Sequence, residues 1–244
     1  MTLAAVLLSL SLRASSSVPA AGGTFLYRAT LIQAAPGRLL DLIDLEKSLR
    51  GSWEESGDGA PLWMRHSQGD RWDLLLLYPM GCWAEFFSSE RVARRQRWRQ
   101  KSEGTLAKIR DAIAWQEDVF VTGPPLPQVA DAFAGAGYFH VEMFVALPGR
   151  QADLYRQREM ENAYDRTLGL PQNLIFTRER GAAWDLFTIG FYRDLKHYAA
   201  SADLPEADQD AAARAAGFDG ARGIGPYLRT LIREHHDTLA TAIR

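Results

Sequence analysis

His140 and Glu142 stand two residues apart in the run Tyr138 to Val145, YFHVEMFV, whose alternation reads as a β-strand, so both side chains leave one face of a sheet. An imidazole beside a carboxylate can hold a divalent metal or work as a base whose orientation the acid fixes. Two ligands do not complete a metal site, and a polar pair on a solvated sheet face is the plainer alternative. His197 and Tyr198 follow the strand-like run Trp184 to Phe191 and begin a helix. The stretch RQREMENAYDR, Arg156 to Arg166, carries charges at almost every turn, and its spacing lets Arg158 pair with Glu161 or Asp165 on the surface. The sharper reading turns Glu161 and Asn162 toward a cavity, where a buried carboxylate has a raised pKa and serves as a general acid or base. EHHDTL, Glu234 to Leu239, offers His235 and His236 as metal ligands, but adjacent residues of a strand point to opposite faces and no spaced motif such as H-E-x-x-H is present. His66 is a fifth, isolated histidine, so a haem ligand could be any of the other four.

Composition narrows the field. Across 244 residues, 28 basic and 30 acidic side chains leave a formal charge of −2, which points to no polyanionic partner. ERVARRQRWRQK, Glu90 to Lys101, gathers six basic residues around Trp98. Without an array of aromatics to stack bases it reads as a solvated helix, and no nucleic-acid partner is expected. Cys82 is the only cysteine, which excludes an internal disulfide and a multi-thiolate zinc site. A Gly-rich phosphate loop, a G-x-S-x-G turn and paired CxxC motifs are all missing, so nucleotide hydrolysis, serine hydrolysis and zinc-ribbon readings lose their support. The run Leu3 to Leu12, followed by a Ser-rich stretch and Val18-Pro19-Ala20, resembles a secretory signal peptide over residues 1–22. It is too short to span a bilayer, so no stable membrane insertion is expected. The expected location is secreted or periplasmic, or cytoplasmic if the segment is a mere tail.

The elements that must position these residues occur twice. PGRLLDL at Pro36 to Leu42 returns as PGRQADL at Pro148 to Leu154, an offset of 148 − 36 = 112. The same offset pairs Gly69 with Gly181 and Trp72-Asp73-Leu74 with Trp184-Asp185-Leu186. One ungapped register over residues near 27 to 87 and 139 to 199 marks an internal repeat. Each half reads strand, helix, two short strands, helix, strand: Leu26 to Gln33, then Leu62 to His66, Trp72 to Tyr78 and Asp118 to Thr122 in the first; Tyr138 to Val145, Leu174 to Arg178, Trp184 to Phe191 and Asp237 to Ile243 in the second. Pro36 and Pro148 suit the first turn of a helix. Second helices are expected near Glu90 to Ala114 and Ile224 to Arg233.

This order is the split βαβ of ferredoxin-like folds. The expected class is α+β, with repeats over 23–125 and 137–244, a linker at 126–136, and an insertion at 201–223 that could act as a lid or a self-association surface. Two such units in one chain resemble the dimeric α+β barrel superfamily, whose members include antibiotic-biosynthesis monooxygenases, NIPSNAP-type proteins and haem-binding chlorite dismutase-like proteins. The resemblance implies paired sheets facing each other within one polypeptide, with a divalent metal or haem as possible cofactors.

The second half is the more polar: Arg28, Thr30, Leu45 and Leu49 correspond to His140, Glu142, Gln157 and Glu161. In a split βαβ sheet the first strand lies between the third and fourth. That topology brings His140 beside His197 and Tyr198, and it sends His235, His236 and Asp237 to the opposite edge, well over 10 Å away. The reading is a barrel that binds a small apolar or aromatic molecule in its second half. Any chemistry there is oxidative or proton transfer, by His140 and Glu142 with His197, Tyr198 and Glu161 nearby. The alternative is a non-catalytic ligand-binding or assembly module, and either could form a homo-oligomer.

Overall fold

The computed structural model describes residues 25–243, so the leader expected over residues 1–22 lies outside the described residues. The strands are β1 (Phe25–Ala34), β2 (Leu62–Gln68), β3 (Leu74–Gly81), β4 (Ile113–Gly123), β5 (Tyr138–Ala146), β6 (Leu174–Arg180), β7 (Leu186–Tyr192) and β8 (Ile232–Ala242). The helices are α1 (Leu39–Leu49), α2 (Trp53–Ser56), α3 (Trp83–Phe86), α4 (Ser89–Asp111), α5 (Leu126–Ala134), α6 (Gln151–Thr167), α7 (Leu195–Ala199), α8 (Glu206–Ala215) and α9 (Ile224–Arg229). No helix among the described residues is long and apolar enough to cross a membrane.

The eight strands form one antiparallel sheet in the order β1-β3-β2-β8-β5-β7-β6-β4, and pairing of β1 with β4 closes it into a barrel. Within each half the order is the same: β4-β1-β3-β2 and β8-β5-β7-β6. The halves meet at two seams, β2 against β8 and β4 against β6.

The repeated corner has a local cause. In both copies the proline and a left-handed glycine (φ 76° at Gly37, 78° at Gly149) occupy the middle of a turn closed by a hydrogen bond, Arg38 N–H to the Ala35 carbonyl and Arg150 N–H to the Leu147 carbonyl. This is type II turn chemistry. Pro36 and Pro148 therefore precede α1 and α6 instead of opening them, because a helix cannot contain the left-handed glycine that follows. Asp73 and Asp185 then splint each corner: their carboxylates accept from the N–H groups of Ala34 and Ala146, each at 2.8 Å.

Alternation along β1 and β5 separates two surfaces. Tyr27, Ala29, Leu31, Phe139, Val141 and Met143 face the barrel interior, where they meet Trp72, Trp184, Phe176 and Phe187 in one apolar core. Each large apolar side chain buried in this core contributes about 1.5–3 kcal/mol. Helix α5, in the segment expected to be a plain linker, adds the fully buried Val129 to the same core. The other faces of β1 and β5 lie under helices, α1 and α4 in the first half and α6 and α9 in the second. Because large side chains fill the interior, the sites lie on the outer faces, beneath these helices. The 201–223 insertion is built around α8, which packs against α6 and buries Ala212 and Ala213; the Asp210 carboxylate accepts from the Ala221 N–H at 2.9 Å.

Candidate functional site

Two polar clusters occupy matching places in the two halves. Register sets Thr30 opposite Asp118 across β1 and β4, and Glu142 opposite Asp237 across β5 and β8. The helix above supplies a charge in each, Glu46 from α1 and Arg158 from α6. The 112-residue offset relates these two residues.

In the second half His140 and Glu142 do share a face, as strand alternation requires. His235 and Asp237 share it too, which overturns the placement of EHHDTL at the far edge: His140 Nε2 lies 3.0 Å from Asp237 Oδ1, and His235 Nε2 lies 3.3 Å from both Glu142 Oε1 and Asp237 Oδ1. The reason is strand length. β8 starts at Ile232, five residues before Asp237, so the histidine pair lies within the ladder and Asp237 falls beside the middle of β5. His236 points to the other face, 3.6 Å from Asp70, so the two adjacent histidines do diverge.

Arg158 closes the cluster from above. Only 3% of its side chain is exposed; it pairs with Glu161, reaches Glu142 Oε2 at 3.4 Å, bonds the Gln157 amide oxygen at 2.7 Å and lies over the Phe144 ring. The pairing of Arg158 with Glu161 read from helical spacing is present, but buried instead of on the surface, because this face of α6 packs on the sheet. Burial raises the Glu161 pKa against the pull of Arg158. Burial also opposes ionisation of Glu142, yet its bonds with His235 and Arg158 hold its pKa low.

His197 does not join this group. It lies within α7, where its Nδ1 accepts the Arg193 N–H at 3.2 Å, while the Tyr198 ring packs against His140 with centroids 5.4 Å apart. Both line an open cavity of about 440 Å³ together with Tyr192 and Asp165. Burial, with Glu161 next, pushes Asp165 up to about 7.

The hydrogen bonds of His235 to Asp237 and Glu142 outweigh its desolvation and raise its pKa to about 9. A histidine normally titrates near 6.5, so the cluster favours the folded state fully below about pH 6.5 and loses that contribution as pH rises through 9. The melting temperature should fall over this window, and His235→Gln should flatten that part of the profile in thermal scans.

The first half holds the more enclosed cavity, about 340 Å³ between β1, β3, α1 and α4, with Arg28, Glu46, Trp53, Tyr78, Trp98 and Asp118 among its walls. The second half was the expected place, since polarity there is visible as departures from the first. Glu46 escaped that comparison because both halves are charged at this position, and only the tertiary packing of α1 reveals its burial at 6% exposure. Desolvation raises its pKa to about 7 against the Arg28 charge. Arg28 lies 4.2 Å from the Tyr78 ring centre and 3.8 Å from Asp118 Oδ1, and its buried Nε has no hydrogen-bond partner among the described residues. Thr30 donates to Asp118 at 2.6 Å, and the Trp53 and Trp98 rings lie 4.6 Å apart.

The basic run of α4 is structural along much of its length. Arg91 and Arg95 pair with Asp58, Arg94 donates to the Glu54 carbonyl, and Lys101 pairs with Glu55.

Haem does not fit the residues present. No histidine lines the enclosed cavity, and the matching space in the second half is filled by Arg158, Phe144 and His235. His197 lies outside the enclosed cavity, with its Nδ1 tied to the Arg193 N–H. A divalent ion is another matter: His140, Glu142 and Asp237 each bring one ligand atom to within 4.8 Å of the others.

Neither a protein-family model nor a curated protein sequence matches the chain. Solved structures do. An anthrone oxidase-like protein aligns with a TM-score of 0.60 at 12% identity, covering 90% of this chain and 92% of its own. A monooxygenase-like protein from Lactobacillus acidophilus aligns at 0.52 with 6% identity, over 89% and 93%. One from Fusobacterium nucleatum gives 0.50 and 9%, over 91% and 94%. At these identities the likeness is one of fold, and it spans nearly the whole length of each partner. The fold of this chain is the one these neighbours share, an eight-stranded antiparallel sheet with helices on its outer faces.

Proposed function

We propose that this protein takes a small aromatic or otherwise apolar molecule into the first-half cavity and moves a proton on it, with Glu46 as the acid–base group. The observation that carries this reading is a carboxyl 6% exposed, with its pKa pushed up to about 7, on the wall of an enclosed cavity. Near neutral pH such a group exists in both protonation states, and so can take a proton from a C–H beside a carbonyl and return it. Arg28, whose Nε makes no hydrogen bond among the described residues and only a long 3.8 Å ion pair with Asp118, is suited to the oxygen on which negative charge then develops. Trp53, Trp98 and Tyr78 offer flat apolar contact to the rest of the molecule.

An oxidative outcome needs dioxygen as co-reactant: the carbanion left by proton removal gives its electron pair to one oxygen of O2, the O–O π bond breaks, and the terminal oxygen takes the proton held by Glu46 to give a hydroperoxide. The oxidase-like and monooxygenase-like descriptions of two neighbours are compatible with that step, but a shared fold fixes no chemistry. The filled barrel interior favours a second reading, a binding or assembly module without chemistry. Under either reading the halves are tandem ferredoxin-like repeats of one duplicated unit, supported by the common strand order, the 112-residue offset and the paired Asp73 and Asp185 splints.

The discriminating assay is deuterium exchange at the acidic methylene of 2-tetralone, followed by proton NMR. Glu46→Gln should slow protein-catalysed exchange by roughly 10²–10⁴-fold, with ketone binding, read by tryptophan quenching, retained. Binding without exchange in the unaltered protein would favour the module; exchange unaffected by Glu46→Gln would remove Glu46 from the reaction.

A further inference from the structure

The second-half cluster takes no part in that reaction, and we propose that it is a site for a divalent transition-metal ion, with His140, Glu142 and Asp237 as ligands and His235 completing the set. Two neighbouring strands build it: His140 and Glu142 leave one face of β5, and Asp237 stands directly across from Glu142 on β8. Ligands 2.0–2.2 Å from a common ion stand roughly 3.3–3.6 Å apart at tetrahedral positions and about 2.8–3.1 Å apart at neighbouring octahedral ones. The separation from His140 Nε2 to Asp237 Oδ1 is already 3.0 Å, and His235 Nε2 is 3.3 Å from an oxygen of each carboxylate. Binding would replace the shared protons of these contacts by the ion, with side-chain rotation to draw in the ligand atoms of His140, Glu142 and Asp237, which lie within 4.8 Å of one another.

Charge and orientation agree with this use. With both imidazoles neutral, Glu142, Asp237 and Glu161 against Arg158 leave two negative charges, which a dication cancels. Thr188 and Arg158 both engage Glu142 Oε2, at 3.0 and 3.4 Å, and so turn Oε1 toward His235 and the cluster. Carboxylates tied down in this way are characteristic of metal ligands. The donor set is imidazole and carboxylate without thiolate, which suits Zn²⁺, Co²⁺, Mn²⁺ or Fe²⁺ over Cu⁺. The Asp237 side chain is 53% exposed, leaving a route from solvent. The first half makes the contrast: Arg28 takes the place of His140, and its guanidinium lies beside Asp118 as a built-in cation where the second half would hold an ion.

The test is isothermal titration of the chain, free of any histidine tag and dialysed against chelator, with ZnCl₂; the visible spectrum with Co²⁺ reports the donor set. One Zn²⁺ per chain with a micromolar or tighter dissociation constant is expected, with a melting temperature that rises with metal concentration. His140→Gln and Asp237→Asn should each weaken binding by about 100-fold or more, and His235→Gln by about 10–100-fold. His236→Gln, on the other face, should leave it unchanged. Circular dichroism establishes that each variant is folded. Failure of the unaltered chain to bind Zn²⁺ at about a millimolar, or unchanged binding in both His140→Gln and Asp237→Asn, overturns the proposal. The ketone assay concerns the other half and stands or falls separately.

Discussion

Arg158→Met lowers the unfolding free energy by about 3–5 kcal/mol, the cost of removing one partner from a buried ionic network. The guanidinium is 3% exposed and stands between Glu142 and Glu161. Methionine fills much of the volume but leaves two carboxylates without their shared cation, and His235 with Thr188 can satisfy only Glu142. The melting temperature should drop by roughly 10 °C for a domain of this size. The first half shows how the loss can be repaired, since it carries Thr30 and Leu49 where the second carries Glu142 and Glu161. The triple variant Glu142→Thr, Arg158→Met, Glu161→Leu removes the whole network and should recover most of the lost stability, because well-packed apolar groups often replace buried ion networks at no net cost. Chemical denaturation of the single and triple variants checks both statements. Equal destabilisation of the two would show that packing around residue 158, and not unpaired charge, dominates.

Gly69→Ala should be nearly as damaging, by about 4 kcal/mol from backbone strain and overpacking together. Gly69 has φ 127°, a conformation that alanine adopts only with strain, and its hairpin lies against β8 at the seam between the halves. An added Cβ would overlap the Asp237 carbonyl oxygen and sit 2.7 Å from Thr238 Cα, both backbone atoms that no rotamer change can move. The strand would have to shift, carrying Asp237 away from His140 and His235. Zn²⁺ affinity should therefore fall along with the melting temperature. Gly181 stands in the same relation to Asp118 across the other seam, where a Cβ would lie 2.8 Å from the carbonyl oxygen. Each half thus clamps the aspartate-bearing strand of the other, and both glycines of the repeat have a steric reason to be glycine.

The sequence by itself determined the local features that recur at an offset of 112 residues. Turn chemistry at Pro36-Gly37 and Pro148-Gly149, the paired Trp-Asp-Leu motifs and the alternation in β1 and β5 are local signals, and the structure reproduces the element order they imply. Local alternation also put His140 and Glu142 on one face. Tertiary structure decided the rest, because burial and strand register depend on residues far apart in the chain. Glu46 reads as an ordinary polar position of an amphipathic helix until α1 lies on β1; Arg158 and Glu161 read as a surface pair until α6 does the same. Asp237 entered the cluster only through an eleven-residue β8, whose early start at Ile232 no turn residue announces. A side chain's neighbours across a sheet are fixed by pairing register, which the periodicity of one strand does not encode.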